Sequence, residues 1–256
     1  MSNQDFQFEN DEVRFRVDEN IALLTFKKSI FEGLADLNKS GRILELLDWI
    51  EKDKVVRALL IVNEKEAYNE ETYAKFMNRY FSTNLISATS MKPEAEKKIL
   101  RARQMNAFRN FILKLVEYKK LTISALNCEV VTPFFGSSLA TDYRFASADM
   151  RFVMAHVKYG LHPAGALPFF LPRYVSQSKA SEMLLDCRTY HAEEAKQLEL
   201  INFILPNDDF EEQCIKKAKS LIKIDDSVLR LTKKLMYNYT EDLEHYFKIE
   251  SKLIGF

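Results

Sequence analysis

The chain has 256 residues, 47% apolar and 29% charged, which is enough for one α/β domain with a large core. Lysine plus arginine equals aspartate plus glutamate at 37 each, so no net field favours nucleic acid or an anionic membrane. No apolar run reaches the roughly 18 residues of a membrane span, and the polar, acidic start does not resemble a signal peptide. Cys128, Cys187 and Cys214 form no disulfide framework and no C-x-x-C metal pair, so a reducing cytoplasm is expected.

The first half of the chain predicts alternating strands and helices. Clusters of β-branched and apolar residues predict strands at 13–15, 21–26 and 58–62. Apolar residues at helical spacing predict a helix over 34–50, so strand, helix and strand should form a parallel pair with a crossover helix. Further helices are predicted over 71–81 and 94–118, on either side of an irregular stretch at 84–91.

The second half predicts shorter strands and ends in helices. Strands are expected at 121–126, 143–146 and 201–205, and a loop at 160–172, where three of the six prolines lie. Helices are expected at 137–142, 178–186, 192–198, 209–222 and 227–247. The alternation predicts an α/β fold with one core and a helical C-terminal part.

Five segments carry a resemblance to a known family: residues 26–34, 58–77, 141–152, 159–175 and 181–206. Together they resemble the crotonase (enoyl-CoA hydratase/isomerase) superfamily. TDYRFASADMRF (141–152) resembles the family's C-D-x-x-x-A-x-x-x-x-x-F segment, and YGLHPAGALPFFLPRYV (159–175) its G-x-x-P-x-x-G-x-x-x-x-L-x-R segment. SEMLLDCRTYHAEEAKQLELINFILP (181–206) keeps the spacing of another family segment without a gap. FKKSIFEGL (26–34) and ALLIVNEKEAYNEETYAKFM (58–77) are similar to its first half.

The resemblance implies a single crotonase-like domain over 1–256. Residues 13–205 would form the ββα spiral core, 206–256 a helical trimerisation region, and 82–100 an insertion. Family members form trimers, often paired into hexamers, and act on acyl-CoA thioesters. The implied ligand is an acyl-CoA or acyl-carrier-protein thioester, with coenzyme A as part of the substrate and no separate cofactor or metal. No nucleic acid or membrane partner is implied.

In that family two backbone N–H groups form an oxyanion hole, which stabilises the thioester oxygen as it becomes an enolate. The first donor position falls on Thr72 within NEETY (69–73), where Glu71 replaces a glycine. The second falls in TPFFG (132–136). A gapless alignment puts Pro133 there, which has no N–H, and a shift of one residue offers Phe134.

The two glutamates that hydratases use for water and proton transfer become Gly136 and His156. Ordinary hydration is therefore not expected, and His156 is the catalytic candidate because a histidine titrates near neutrality. A lone histidine is, however, more often a satisfied packing residue. Glu129 is a weaker candidate for a relocated carboxylate.

The resemblance also suggests a coenzyme A contact surface. Lys27 and Lys28 could bind phosphates, although solvated surface lysines are an equal alternative. Tyr68 and Asn69, next to the first donor turn, complete the candidate surface.

Three functions remain open from the sequence. The first is an enzyme that uses enolate chemistry on a thioester, such as decarboxylation or isomerisation. The second is a catalytically inactive binding or scaffold protein of the same fold. The third is an assembly subunit in which the helix at 94–118 contacts a partner.

Overall fold

The structure is a computed structural model that describes residues 7–81, 94–186 and 188–253. Its strands are β1 (Phe8–Glu9), β2 (Val13–Asp18), β3 (Ile21–Phe26), β4 (Ala58–Asn63), β5 (Leu121–Leu126), β6 (Glu129–Val131), β7 (Tyr143–Ser147), β8 (Arg151–Val153), β9 (Thr189–His191) and β10 (Phe203–Leu205). Its α-helices are α1 (Ile30–Ala35), α2 (Leu37–Lys52), α3 (Glu70–Phe81), α4 (Glu94–Val116), α5 (Thr132–Ser138), α6 (Leu167–Tyr174), α7 (Gln177–Asp186), α8 (Ala192–Gln197), α9 (Phe210–Leu221), α10 (Asp226–Met236) and α11 (Thr240–Glu250).

The strands form two sheets. The larger has the order β1-β2-β3-β4-β5-β7-β10, and β6, β8 and β9 form the smaller. In the larger sheet β2 pairs antiparallel with β1 and β3, whereas β3, β4, β5, β7 and β10 run parallel. Parallel neighbours need crossover connections, which the helices supply. The predicted α/β class is confirmed.

The central strands are covered on both faces. On β3, Ala22 and Leu24 face an apolar layer that includes helices α1 to α5, whereas Ile21 and Leu23 face α9. Strands β3, β4 and β5 are buried at every position, as expected for parallel strands with helices on either side.

The predicted helix over 34–50 is wrong as a single element. The structure has α1 and α2, with Asp36 between them in an extended conformation. The Asp36 carboxylate accepts hydrogen bonds from the N–H groups of Asn38 (2.9 Å) and Lys39 (3.0 Å). This N-cap starts a new helix within a continuous apolar pattern.

Three further boundaries are corrected. The helix expected at 137–142 instead occupies α5, with Pro133 in its first turn. The loop expected at 160–172 contains the start of α6, which has Pro168 in its first turn. The helix expected at 227–247 is divided into α10 and α11, because the helical backbone is interrupted after Met236.

The irregular stretch at 84–91 and most of the insertion at 82–100 lie outside the described residues, and 94–100 belongs to α4. In the described part of the chain, no helix combines the length and apolar character of a membrane span. The same ranges contain no group of three or more His, Cys, Asp or Glu side chains placed to hold a metal ion.

Candidate functional site

The carboxyl ends of β4 and β5 lie side by side, where ligands bind in open parallel sheets. Asn63, the last residue of β4, donates from Nδ2 to the Asn127 carbonyl (2.9 Å) and accepts at Oδ1 from the Asn127 N–H (2.9 Å). These bonds fix the two chain segments that leave the strands, one leading to α3 and the other to β6 and α5.

The segments that carry the two predicted oxyanion donors meet in the structure. The Val131 N–H, directly before α5, donates to the Tyr68 carbonyl (3.0 Å), shortly before α3. Thr72 lies in the first turn of α3 and Phe134 in the first turn of α5. First-turn N–H groups have no partner within their own helix, so these turns are where backbone donors can converge.

The first-turn donors of α3 are bound by side chains. The Thr72 N–H donates to Asn69 Oδ1 (2.8 Å), an N-cap contact. The Glu70 N–H donates to Glu129 Oε1 (2.5 Å), and Glu129 Oε2 in turn accepts from Arg151 Nη2 (2.8 Å). Asn69 and Glu129 therefore stabilise the start of α3.

Aromatic rings fill the space beneath the two turns. The Phe134 and Tyr68 rings stack with centroids 3.7 Å apart and an interplanar angle of 11°. The rings of Phe31, Phe108 and Phe26 surround Phe134 at centroid distances of 5.1, 5.3 and 6.2 Å. The cavity beside Tyr68 and Phe134 measures about 10 Å³, which is about the room for one water molecule.

Position 136 cannot hold a side chain. A Cβ on Gly136 would lie 2.3 Å from the Gly165 carbonyl oxygen and 2.8 Å from the Leu167 nitrogen. A Cβ on Gly165 would lie 2.1 Å from the Pro133 carbonyl oxygen, and Gly165 has a positive φ of 73°. Helix α5 thus packs backbone to backbone against the segment before α6.

His156 is 3% exposed, and both of its ring nitrogens have protein partners. Nδ1 lies 3.0 Å from Thr132 Oγ1 and Nε2 lies 3.2 Å from the Leu184 carbonyl oxygen. A neutral ring with its proton on Nε2 donates to Leu184 and accepts from Thr132. Burial lowers the pKa of His156, which favours this neutral form.

Lys27 and Lys28 follow β3, at the same sheet edge as the two turns. The Lys27 ammonium donates to Glu9 Oε1 (2.9 Å) and to the Asn10 carbonyl (2.8 Å). Lys28 pairs with Glu66, and both of these side chains are more than half exposed. Of the other two candidate residues for coenzyme A, Tyr68 is buried and the Asn69 side chain caps α3.

Sequence reasoning did not single out Arg101, Gln104 and Glu250, which are buried polar residues. The sequence did contain a signal that Arg101 and Gln104 are buried. They stand three residues apart on the face of α4 that carries the apolar residues Met105 and Phe108.

The comparisons with known proteins agree with this architecture. The enoyl-CoA hydratase/isomerase family model matches residues 79–255. A probable enoyl-CoA hydratase of Mycobacterium leprae is 25% identical over 252 residues, covering 93% of this chain and 81% of the relative. A probable enoyl-CoA hydratase of Bacillus subtilis is 25% identical over 254 residues, covering 95% and 89%.

The crystal structure of enoyl-CoA hydratase from Bacillus halodurans has the same fold, with a TM-score of 0.76, 18% identity and coverage of 94% of this chain and 92% of that one. The predicted crotonase-like fold with its helical C-terminal region is therefore confirmed. The family match covers more than half of the sequence. The chain belongs to the enoyl-CoA hydratase/isomerase family, within the crotonase superfamily.

Proposed function

We propose that the protein binds an acyl-CoA or acyl-carrier-protein thioester and does not hydrate it. Thioester binding follows from the family, whose members act on acyl-CoA thioesters. The absence of hydration is supported by the backbone contact at Gly136, the position aligned with the first hydratase glutamate. The close approach of Gly165 leaves no volume there for a carboxylate. A hydratase positions water between two carboxylates, and the second position holds the buried, neutral His156.

Two observations favour a binding protein over an enzyme at this site. The Thr72 N–H is held by Asn69, so it is not free to receive an oxyanion unless that bond breaks. The ring nitrogens of His156 are likewise held by Thr132 and Leu184. Preorganised donors stabilise a transition state only when they point at the reacting oxygen, and the Thr72 donor points at the Asn69 side chain.

Enolate chemistry, as decarboxylation or isomerisation, is the second candidate function. It needs one proton donor or acceptor rather than two carboxylates, and His156 would supply it. The convergence of the first turns of α3 and α5 favours this candidate, since it places Thr72 and Phe134 in neighbouring turns. In this function the Asn69 contact with Thr72 would open as the thioester binds.

Calorimetric titration with coenzyme A, acetyl-CoA and hexanoyl-CoA tests the binding proposal. Saturable binding of the thioesters is expected, with no hydration of crotonyl-CoA. Lys28→Glu should weaken binding several-fold by repelling phosphate. The matched control is Lys54→Glu, because Lys54 is exposed at the opposite end of β4 and should leave affinity unchanged. Absence of binding at millimolar thioester contradicts the proposal.

Turnover assays decide between the two candidate functions. A binding protein leaves malonyl-CoA and 3-enoyl-CoA thioesters unchanged, whereas enolate chemistry would decarboxylate or isomerise them. Any turnover should then fall on His156→Ala substitution, and a rate unchanged by that substitution would remove His156 from the mechanism.

We further propose a homotrimer or a hexamer, acting in the cytoplasm. The assembly is supported by exposed apolar side chains along α10, in the C-terminal region that the family uses for trimerisation: Val228, Leu231, Leu235 and Met236. The location is supported by Cys128 and Cys214, both of which are free thiols.

A further inference from the structure

A group of polar side chains, four of them buried and two partly exposed, lies between α3, α4, α11 and the loop that precedes α6. Its members come from four separate parts of the chain and are called the Arg101 cluster here: Tyr73, Arg101, Gln104, His162, Tyr246 and Glu250. A buried polar group normally has all of its hydrogen bonds satisfied, so an unsatisfied member indicates a function or a missing ligand.

Arg101 is the unsatisfied member. Its residue is 8% exposed, and Nη1 donates to Oε1 of Gln104, which is 1% exposed (3.0 Å). Nη2 is buried and has no hydrogen-bond partner within the described ranges. A guanidinium is charged at every physiological pH, so this nitrogen presents a cationic donor inside the protein.

Glu250 does not act as a full counter-ion for Arg101. Its carboxyl group is buried and accepts a hydrogen bond from the Tyr246 hydroxyl at Oε1 (3.0 Å). Burial raises the pKa of Glu250 to about 7, although Tyr246 and the charge of Arg101 oppose the rise. A large fraction of this carboxyl is therefore neutral near pH 7, and the charge of Arg101 then has no ionised partner in the cluster.

The remaining titratable member is His162, whose Nδ1 lies 3.9 Å from Glu250 Oε1. Burial lowers the pKa of His162, and the nearby Arg101 charge lowers it further, so the ring is neutral. With His162 and Glu250 both neutral, the Arg101 cluster carries one net positive charge.

Tyr73 connects the cluster to the candidate thioester site. It follows Thr72 in α3, and its ring packs against Phe31 (5.1 Å between centroids) and Tyr159 (5.4 Å). Burial raises the pKa of Tyr73, whereas the charge of Arg101 and a hydrogen bond between the two side chains oppose that rise. The Tyr73 side chain thus links α3, at the residue after Thr72, to the Arg101 guanidinium.

We propose that Arg101 Nη2 binds a carboxylate at the far end of the acyl group, so that the preferred ligands are mono-thioesters of dicarboxylic acids. This inference rests on the proposed function, because it names the acyl class of the thioester. A carboxylate supplies the acceptor that Nη2 lacks and the negative charge that the cluster lacks. Gln104 fixes the guanidinium through Nη1, which leaves Nη2 for the ligand.

The test compares thioesters of equal chain length with and without a terminal carboxylate. Succinyl-, glutaryl- and adipyl-CoA are titrated beside butyryl-, pentanoyl- and hexanoyl-CoA. At the best length, the dicarboxylic thioester should bind at least about tenfold more tightly. Equal affinity within every pair overturns the inference but leaves the proposed function standing. Binding of no thioester at all overturns the proposed function.

Two variants assign the preference to Arg101. Arg101→Gln should abolish the preference for dicarboxylic thioesters and keep the affinity for the monocarboxylic ones, which also shows that the variant is folded. Arg103→Gln is the matched control, because Arg103 is exposed on the same helix and should keep the preference. A preference that survives Arg101→Gln overturns the assignment.

Free glutarate distinguishes an acyl group from a free carboxylate as the occupant. It should compete with glutaryl-CoA only weakly, since it lacks the coenzyme A contacts. Free glutarate that binds as tightly as glutaryl-CoA, and loses that affinity on Arg101→Gln, would overturn the acyl assignment.

The pH dependence provides an independent readout. Ionised Glu250 competes with the ligand carboxylate for Arg101, so the preference should fall several-fold between about pH 6 and about pH 8. Glu250→Gln removes this competitor and should keep the preference constant over the same range. A wild-type preference that does not change with pH would contradict the role of Arg101 as the uncompensated charge of the Arg101 cluster.

Discussion

Glu250 is a carboxyl group that folding removes from water. Its pKa in the folded protein is about 7, whereas an exposed glutamate has a pKa of about 4.3. Between these two values the folded state keeps a proton that the unfolded state has lost. The free energy of unfolding therefore falls as pH rises through this interval and stays lower above it.

Glu250→Gln should remove this loss. The amide carries no charge at any pH, so the variant should gain up to about 4 kcal/mol over wild type at pH 8, and much less at about pH 4. Urea unfolding at the two pH values measures the difference. Glu241→Gln, on the exposed side of α11, should keep the wild-type pH dependence. A parallel pH profile for Glu250→Gln and wild type would contradict the prediction.

Gly136 is a second position where one added atom, a Cβ, should change the stability of the fold. Gly136→Ala puts a Cβ within 2.3 Å of the Gly165 carbonyl, and both partners are backbone, so neither can rotate away. We expect a loss of about 3 kcal/mol in the free energy of unfolding, at the upper end for overpacking because both contacts are backbone. Gly41→Ala in α2 is the control, because its Cβ would meet nothing within 4 Å and should stabilise by about 1 kcal/mol. Chemical denaturation of both variants distinguishes the clash from a general effect of glycine replacement.

At the scale of the element, the N-terminus of α3 depends on hydrogen-bond acceptors from side chains outside the helix. The Thr72 N–H is bound by the Asn69 side chain. Asn69→Ala should therefore lower the free energy of unfolding by about 1 kcal/mol, whereas Asn69→Asp keeps an acceptor and should stay within a few tenths. Thermal unfolding of the two variants measures this, and equal stabilities would show that the cap contributes nothing.

The long elements of this fold are readable from the sequence because they repeat an apolar pattern over several turns or along a whole strand. Strands β3, β4 and β5 and helices α3, α4 and α9 were predicted within a few residues of their bounds. The strands β6, β8 and β9 were missed, since three residues supply no measurable periodicity. The break between α1 and α2 was missed because Asp36 lies inside an unbroken apolar pattern.

The candidate site was predictable only in part, because local sequence patterns do not show which distant residues contact each other. The motifs located Thr72 and Phe134, and the structure brings their turns together. The partners that decide what these residues can do come from distant parts of the chain. Leu184 is 28 residues from His156, and no local pattern relates them.

At the scale of the whole molecule, α10 presents an apolar stripe to the surface. Leu231 and Leu235 are 56% and 80% exposed, and they lie four residues apart on one helical face. On the opposite side Lys233 is buried and donates to Asp142 (2.7 Å), which fixes the orientation of the helix. A stripe held outward by such a contact is suited to pack against another subunit.

Replacing both Leu231 and Leu235 with Asp should therefore disrupt self-association. The wild type should sediment as a trimer or a hexamer, and the double variant as a smaller species, because two buried charges at each interface are costly. Arg230→Asp is the control, as Arg230 is exposed on α10 outside the stripe. Sedimentation velocity gives the readout, and a wild-type monomer would contradict the proposed assembly.

The contact between Gly136 and Gly165 also limits the mutational routes open to this chain. A side chain at 136 needs the segment around Gly165 to move first, and a side chain at 165 needs α5 to move first. As long as either segment keeps its present position, the glycine that faces it cannot be replaced by a residue with a side chain. A glutamate at position 136 is therefore not reachable by one substitution alone, because its side chain fits only after the segment around Gly165 has been rebuilt.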